Sequence, residues 1–286
     1  MANYNLEVIG VYGGIGEFEL TDINIKIERG TVMGLIGRNG AGKTTLIKTI
    51  AGFLPRYQGA ILFGGLPMAK NEVAVKNKIG LVFDTPLYHP GTKPLKTAKT
   101  MSHFYHNFDM ERFFELMKKF DLPLNKKLAY FSKGMKSAFS IIMALCHDPD
   151  LVIMDEPTAG LDPKTRRDII DIMQEFVQDE EKSILFSTHI TSDLERIADH
   201  ITLIENGRTL FTKSVVEITD EMALCRVSRE DLTEQRRPFV MGLRETPLGL
   251  ECLISDKSMF MGIPGVQFTR PAIEDLITHK MEGNRT

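Results

Sequence analysis

The chain has 286 residues, 43% of them hydrophobic and 26% charged, with a formal net charge of −3; this is room for about two domains of ordinary globular composition and leaves no basic footprint for nucleic acid. Three widely spaced cysteines, Cys146, Cys225 and Cys252, exclude a CxxC zinc or redox motif and point to a reducing compartment. The start, MANYNLEVIG, lacks the basic-then-apolar pattern of a signal peptide, and the longest apolar run, IIMALC at 141–146, falls far short of the ~20 residues of a spanning helix, so the chain is not expected to cross a membrane unaided.

Residues 18–27, FELTDINIKI, place apolar side chains near a two-residue period and predict a half-buried strand. The turn ERG leads to an apolar strand, VMGLI at 32–36, then to GRNGAGKT and a helical stretch, TLIKTIAGFL. A further apolar run, in GLVFDTPLYH at 80–89, stops at Asp84, as a strand does when its end carries a polar group. Residues 84–136 hold ten Lys/Arg against five acids, with helical spacing in MERFFELMKKF. They predict an inserted helical subdomain, about 84–150, with a basic surface. Strands return with LVIMD at 151–155 and SILFS at 183–187, separated by the helical DPKTRRDIIDIMQEFVQ. Asn206-Gly207, within ITLIENGRTLF, is a strong hairpin signal. From about residue 214 the pattern is mixed and carries no chemical motif. It predicts a small α+β extension over 214–286, closing in a helix from Pro271 to about Met281.

The chemistry concentrates at strand ends. GRNGAGKT, residues 37–44, fits G-x-x-x-x-G-K-[ST] between a predicted strand and a predicted helix, the context this phosphate loop requires. The candidate nucleotide-binding residues are therefore Gly37, Arg38, Asn39, Gly40, Ala41, Gly42, Lys43, Thr44 and Thr45. Glycines let backbone N–H groups converge on phosphate oxygens, and the helix N-terminus adds its positive end. Lys43 is placed to reach the β and γ phosphates, and the Thr44 hydroxyl to ligate Mg²⁺. LVIMDE ends in two carboxylates: Asp155 suits a Mg²⁺ ligand, directly or through water, and Glu156 suits a general base for water. His189 leaves the strand SILFS on the same side of a parallel sheet and is a candidate for the γ-phosphate.

With FSKGM at 131–135, MDEPTAGLD at 154–162 and STH at 187–189 in this order, the motifs resemble the ATP-binding subunit of ABC transporters over about residues 4–212. The resemblance implies an α/β P-loop NTPase with a RecA-like core, an antiparallel β subdomain and the inserted helical subdomain, spanning 1–213, followed by the extension at 214–286. It implies ATP hydrolysis with Mg²⁺ in head-to-tail dimers, of identical or different subunits, that sandwich two ATP molecules. Each ATP then lies between the phosphate loop of one subunit and Ser132 and Gly134 of the other. Tyr12 matches the aromatic that stacks on adenine, and Asp162 the acid of the loop crossing the dimer interface. Asp84 stands where the family carries a Gln that touches Mg²⁺, which makes it a third candidate metal contact, reached through water. Lys133 and Met135 replace a Gly and a Gln of the usual LSGGQ. The resemblance also implies a separate membrane permease and a peripheral place on the cytoplasmic face of the cell membrane. The overall pattern is similar to bacterial exporters of drugs, lipids or antimicrobial peptides. The alternative is a soluble ABC-type regulatory ATPase not coupled to transport.

Overall fold

In the computed structural model, which describes residues 3–54, 56–247 and 249–281, the chain opens with an antiparallel hairpin of β1 (Tyr4–Ile15) and β2 (Phe18–Glu28). Next come β3 (Val32–Ile36), α1 (Lys43–Ile50), β4 (Tyr57–Phe63), β5 (Leu66–Pro67), α2 (Glu72–Lys76) and β6 (Ile79–Val82). The helix α1 ends before the expected AGFL: Gly52 takes φ +77° and the Phe53 N–H returns to the Lys48 carbonyl at 2.9 Å. That bond closes the last turn in the way a left-handed glycine permits.

The basic segment forms α3 (Pro94–Met101), α4 (Met110–Lys119) and α5 (Lys133–Leu145). Asp109 caps α4 by accepting from the Arg112 N–H, and the helix buries Phe113, Leu116 and Met117 on one face. A groove of about 580 Å³ runs along α3 and is lined by Lys93, Lys96, Lys99, His103 and Phe104. The chain then returns through β7 (Leu151–Asp155), α6 (Pro163–Phe176), β8 (Ser183–Ser187), α7 (Thr191–Ile197), β9 (His200–Glu205) and β10 (Arg208–Ser214). Asn206 and Gly207 both take positive φ, 48° and 73°, between β9 and β10, as a type I′ hairpin requires.

The last stretch holds α8 (Val215–Asp220), β11 (Ala223–Val227), β12 (Val240–Thr246), β13 (Gly249–Ile254), β14 (Phe268–Thr269), α9 (Ile273–Thr278) and β15 (Lys280–Met281). The closing helix is shorter than the sequence suggests. His279 is extended, and Lys280 and Met281 pair with Leu243 and Gly242 of β12 instead. Sheet pairing has overridden local helical preference there. Residues 282–286 of the expected extension lie outside the described residues.

Three sheets result, in the orders β2-β1-β4-β5, β10-β9-β3-β8-β7-β6 and β14-β11-β13-β12-β15. In the central sheet β9, β3, β8, β7 and β6 are parallel and β10 is antiparallel. The strands β3, β7 and β8 are buried along their whole length, the signature of a sheet covered on both faces. Alternate residues divide between two cores. Val32, Val152, Met154, Ile184 and Phe186 pack with α4, α5 and α6. Met33, Leu35, Leu151, Ile153 and Leu185 pack with α1 and the first sheet. The third sheet has its own apolar cluster around Cys225, Cys252 and Phe260. Ile218 of α8 and Ile273 and Leu276 of α9 join the first core instead, alongside Leu194 of α7. All three cysteines are buried thiols. Because the parallel strands share one direction, Gly37, Asp155, Ser187 and Asp84 all emerge at one edge of the central sheet, where such folds place ligands.

Candidate functional site

The loop 37–42 joins β3 to α1, and Lys43 is the first residue of the helix. Gly42 takes φ +110°, and a Cβ there would come 2.7 Å from the Phe18 ring. A side chain at this position would both strain the backbone and strike the wall of the loop. At Gly40, φ +81°, a Cβ would meet nothing within 4 Å, so the loop opens outward at that point. Lys43 is a buried residue, and its ammonium donates to the Gly37 carbonyl at 2.8 Å, with the Arg38 carbonyl at 3.4 Å. Burial lowers its pKa, and Glu156 and Asp155 partly oppose that by stabilising the charge.

Asp155 is buried at the end of β7. The Thr44 hydroxyl donates to its Oδ2 at 2.8 Å and the Ser187 hydroxyl to its Oδ1 at 2.6 Å. The carboxylate is thereby clamped between α1 and β8. The Ser187 hydroxyl also accepts from the Glu156 N–H at 3.1 Å, and the Ser187 carbonyl accepts from the same N–H at 3.1 Å. Glu156 needs this hold because its φ is +53°, a left-handed conformation that costs a non-glycine residue roughly 1–2 kcal/mol. The turn swings its carboxylate toward the phosphate loop, where Oε2 meets His189 Nδ1 at 2.7 Å. For the carboxylate to accept, Nδ1 carries the proton.

A cleft of about 570 Å³ collects Asn39, Thr44, Asp155, Glu156 and His189 with Phe83, Asp84 and Lys133. A neighbouring hollow of about 400 Å³ holds residues 39–45, Glu156 and Phe18. The expected phosphate-loop, strand-end and histidine residues thus converge. Asp84 occupies the same cleft, but its carboxylate is ion-paired with Lys133 Nζ at 3.0 Å and not bonded to Thr44 or Asp155. Tyr12 lies exposed on β1 opposite Gln58, and the aromatic that lines the phosphate loop is Phe18. Ser132 caps α5 by accepting from the Met135 N–H at 3.2 Å. At Gly134, where α5 meets α6, a Cβ would come 3.3 Å from the Thr165 methyl, a tight contact that a shift of that side chain would relieve. Asp162 caps α6: it accepts the Thr165 hydroxyl and the Thr165 and Lys164 N–H groups, which hold its carboxyl below the usual range.

Sequence reasoning missed Ser187, Phe18 and a buried Asp193. The Asp193 carboxylate accepts the Thr158 hydroxyl and Arg166 Nε, both at 2.6 Å. Ser137 of α5 donates to the Pro157 carbonyl at 2.6 Å. The turn after Glu156 is therefore tied to α5, α6 and α7. Ser187 had a usable signal, because a hydroxyl ends the strand adjacent to the one that ends in Asp155.

A nucleotide fits these residues. The cradle is open at Gly40, Lys43 sits at its base, and Thr44 and Asp155 bring a hydroxyl and a carboxylate together. Among the described residues no three His, Cys, Asp or Glu side chains form a metal cage. A hard divalent ion held mostly by phosphate and water needs only such a pair.

Comparison with known proteins agrees. The ABC transporter family matches residues 20–159. The ABC transporter ATP-binding protein NatA of Bacillus subtilis is 35% identical over 203 residues, 66% of this chain and 79% of that protein. The linearmycin resistance ATP-binding protein LnrL of the same organism is 31% identical over 227 residues, 78% of this chain and 73% of that protein. A solved ATP-binding subunit of an ABC transporter superposes with a TM-score of 0.69 at 31% identity, covering 74% of this chain and 91% of that one. No helix among the described residues is long and apolar enough to cross a membrane. Relatives of this identity, aligned over most of their length, settle the family: the chain belongs to the ATP-binding subunits of ABC transporters, which bind and hydrolyse ATP.

Proposed function

We propose that this subunit powers export of a substrate through a separate membrane permease, working as a homodimer or heterodimer of ATPase subunits on the cytoplasmic face of the membrane. The linearmycin resistance relative supports the outward direction. We read residues 1–213 as the ATP-binding domain and 214–286 as an accessory domain.

The observation that carries the chemistry is the pairing of a clamped acid with a free-edged one. Asp155 has its two oxygens taken by Thr44 and Ser187, while Glu156 keeps one oxygen for His189 and one for the cleft. Lys43 and the N–H groups of the loop bind the phosphates. Thr44 and Asp155 would hold Mg²⁺, which supplies charge neutralisation at the β and γ phosphates when bound. Asp84 would reach that ion only through water and only after leaving Lys133. Glu156 takes the proton of the attacking water, and His189 fixes the orientation of the carboxylate. Ser132 and Gly134 of a second subunit would close over the same phosphate, and Tyr12 would stack on the adenine. The test is Glu156→Gln. It is expected to retain ATP binding and lose turnover by roughly 10²–10⁴-fold; wild-type turnover in that variant would remove Glu156 from the role of base.

A further inference from the structure

The inserted helical segment carries more positive charge than its own fold uses. Residues 84–136 hold ten Lys/Arg against five acids. Part of that charge is paired within the chain, Lys119 with Glu175 and Lys133 with Asp84. Five lysines are not. Lys93, Lys96 and Lys99 follow one another at three-residue spacing along α3 and line its groove beside Phe104; Lys126 and Lys127 come directly after Asn125, which lines the same groove. The segment 124–128 is fixed against the start of α3. The Leu95 N–H donates to the Leu124 carbonyl at 3.4 Å, and the Leu128 N–H to the Thr92 carbonyl at 2.9 Å. All five lysines are exposed, and among the described residues none has a carboxylate partner. Helix stability does not account for them. Lys93 and Lys96 stand at the positive end of α3, whose first turn holds no acid, and like charges three residues apart on a helix repel. Packing does not account for them either, because α3 turns Pro94, Thr97 and Ala98 into the protein and the lysines away from it.

We propose that this lysine face docks on an anionic phospholipid surface, so that the subunit touches the bilayer directly as well as through its permease. The charge is complementary to acidic headgroups, and each lysine close to such a surface adds to the attraction. The chemistry of the cations favours headgroups over an acidic protein segment. A carboxylate fixed in a protein is held best by the planar fork of an arginine. All five cations here are compact point charges on flexible stems, which suit headgroups that have no fixed positions. Phe104, 70% exposed, sets an aromatic ring beside the lysines, and lysine with phenylalanine is the composition of surfaces that lie at a headgroup boundary. Because the inner side of α3 is already packed, the helix does not insert. The contact is superficial and electrostatic, so salt weakens it. The inference rests on this charge and its placement, not on the direction of transport.

The experiment is co-sedimentation of the full chain, without nucleotide, with vesicles of phosphatidylcholine alone and of phosphatidylcholine with about one third phosphatidylglycerol. Binding is expected only to the anionic vesicles at about 0.1 M salt, and is expected to disappear at about 1 M, where the screening length falls from roughly 10 Å to roughly 3 Å. The double variant Lys96→Gln/Lys99→Gln should weaken it about 25-fold, roughly fivefold for each lysine. Gln keeps the helix propensity of Lys, and unchanged ATP turnover of this variant in solution shows that it is folded. Lys26→Gln/Lys70→Gln removes the same charge from β2 and from the turn after β5, and should bind as wild type does. Equal binding to both kinds of vesicle, no binding to the anionic ones, or an equal loss in the two double variants overturns the proposal. So does binding of a polyglutamate peptide that depends on Lys96 and Lys99 while anionic vesicles do not bind, which would give the face to an acidic protein segment. Failure to bind lipid with ATP turnover intact would leave the reading of the nucleotide site standing.

Discussion

Replacing Ser187 with Ala removes one hydroxyl that serves both acids of the site. It donates to Asp155 Oδ1 at 2.6 Å and accepts from the Glu156 N–H at 3.1 Å, and the residue is fully buried. A hydrogen bond to a charged group contributes about 1.5–3 kcal/mol, and a buried carboxylate that loses a donor keeps its desolvation cost. The Glu156 N–H retains the Ser187 carbonyl as acceptor, so that side of the loss is small. We expect a destabilisation of about 2 kcal/mol, equivalent to a fall in Tm of roughly 4–8 °C at about 2–4 °C per kcal/mol. Turnover should fall as well, because the left-handed turn that aims Glu156 loses one of its two restraints. The assay is thermal denaturation of Ser187→Ala, Asp155→Asn and the double variant. If the bond to Asp155 carries the effect, Ser187→Ala costs much less once Asp155 is Asn, and the coupling is the difference. A loss below about 0.5 kcal/mol, the range of ordinary surface substitutions, or strictly additive losses, would refute the clamp.

Ser132→Arg is expected to block nucleotide-driven dimerisation in a Glu156→Gln background while leaving ATP binding by the monomer largely intact; light scattering with and without MgATP decides, and a dimer in that variant would contradict the sandwich arrangement. Burial pushes the Cys146 thiol up to about 12 from 9.0, which fixes a pH dependence. Between these values the unfolded thiol loses its proton and the folded one does not, so the unfolded state gains and stability falls as pH rises from about 9 toward 12. Urea unfolding at pH 8 and pH 10 should show a smaller drop in Cys146→Ala than in wild type, and equal drops would mean that the thiol ionises freely in the fold.

Local signals made the phosphate loop readable. Its glycines, lysine and threonine all fall within the eight residues 37–44, and the apolar strand before it and the helix after it are both visible in the sequence. The fully apolar LVIMD and SILFS declared themselves as buried strands for the same reason, and their ends marked Asp155 and Glu156. What stayed hidden depends on neighbours that the chain order does not reveal. Ser187 meets Asp155 because β7 and β8 pair with those two residues in register. Phe18 reaches Gly42 only after the first sheet folds over the loop. Asp84 and Lys133 are separated by α3 and α4, so their opposite charges carried no visible link. The closing helix was overestimated because β12 offers its edge to Lys280 and Met281, a competitor that local periodicity does not register.

The most direct test of the central claim is a pair of measurements on Glu156→Gln: equilibrium binding of ATP and single-turnover hydrolysis, each against wild type. The account predicts ATP affinity within a few-fold of wild type, since Lys43 and the loop are untouched, and a hydrolysis rate lower by roughly 10²–10⁴-fold, the contribution of a positioned general base. Hydrolysis at the wild-type rate, with ATP bound, would contradict it.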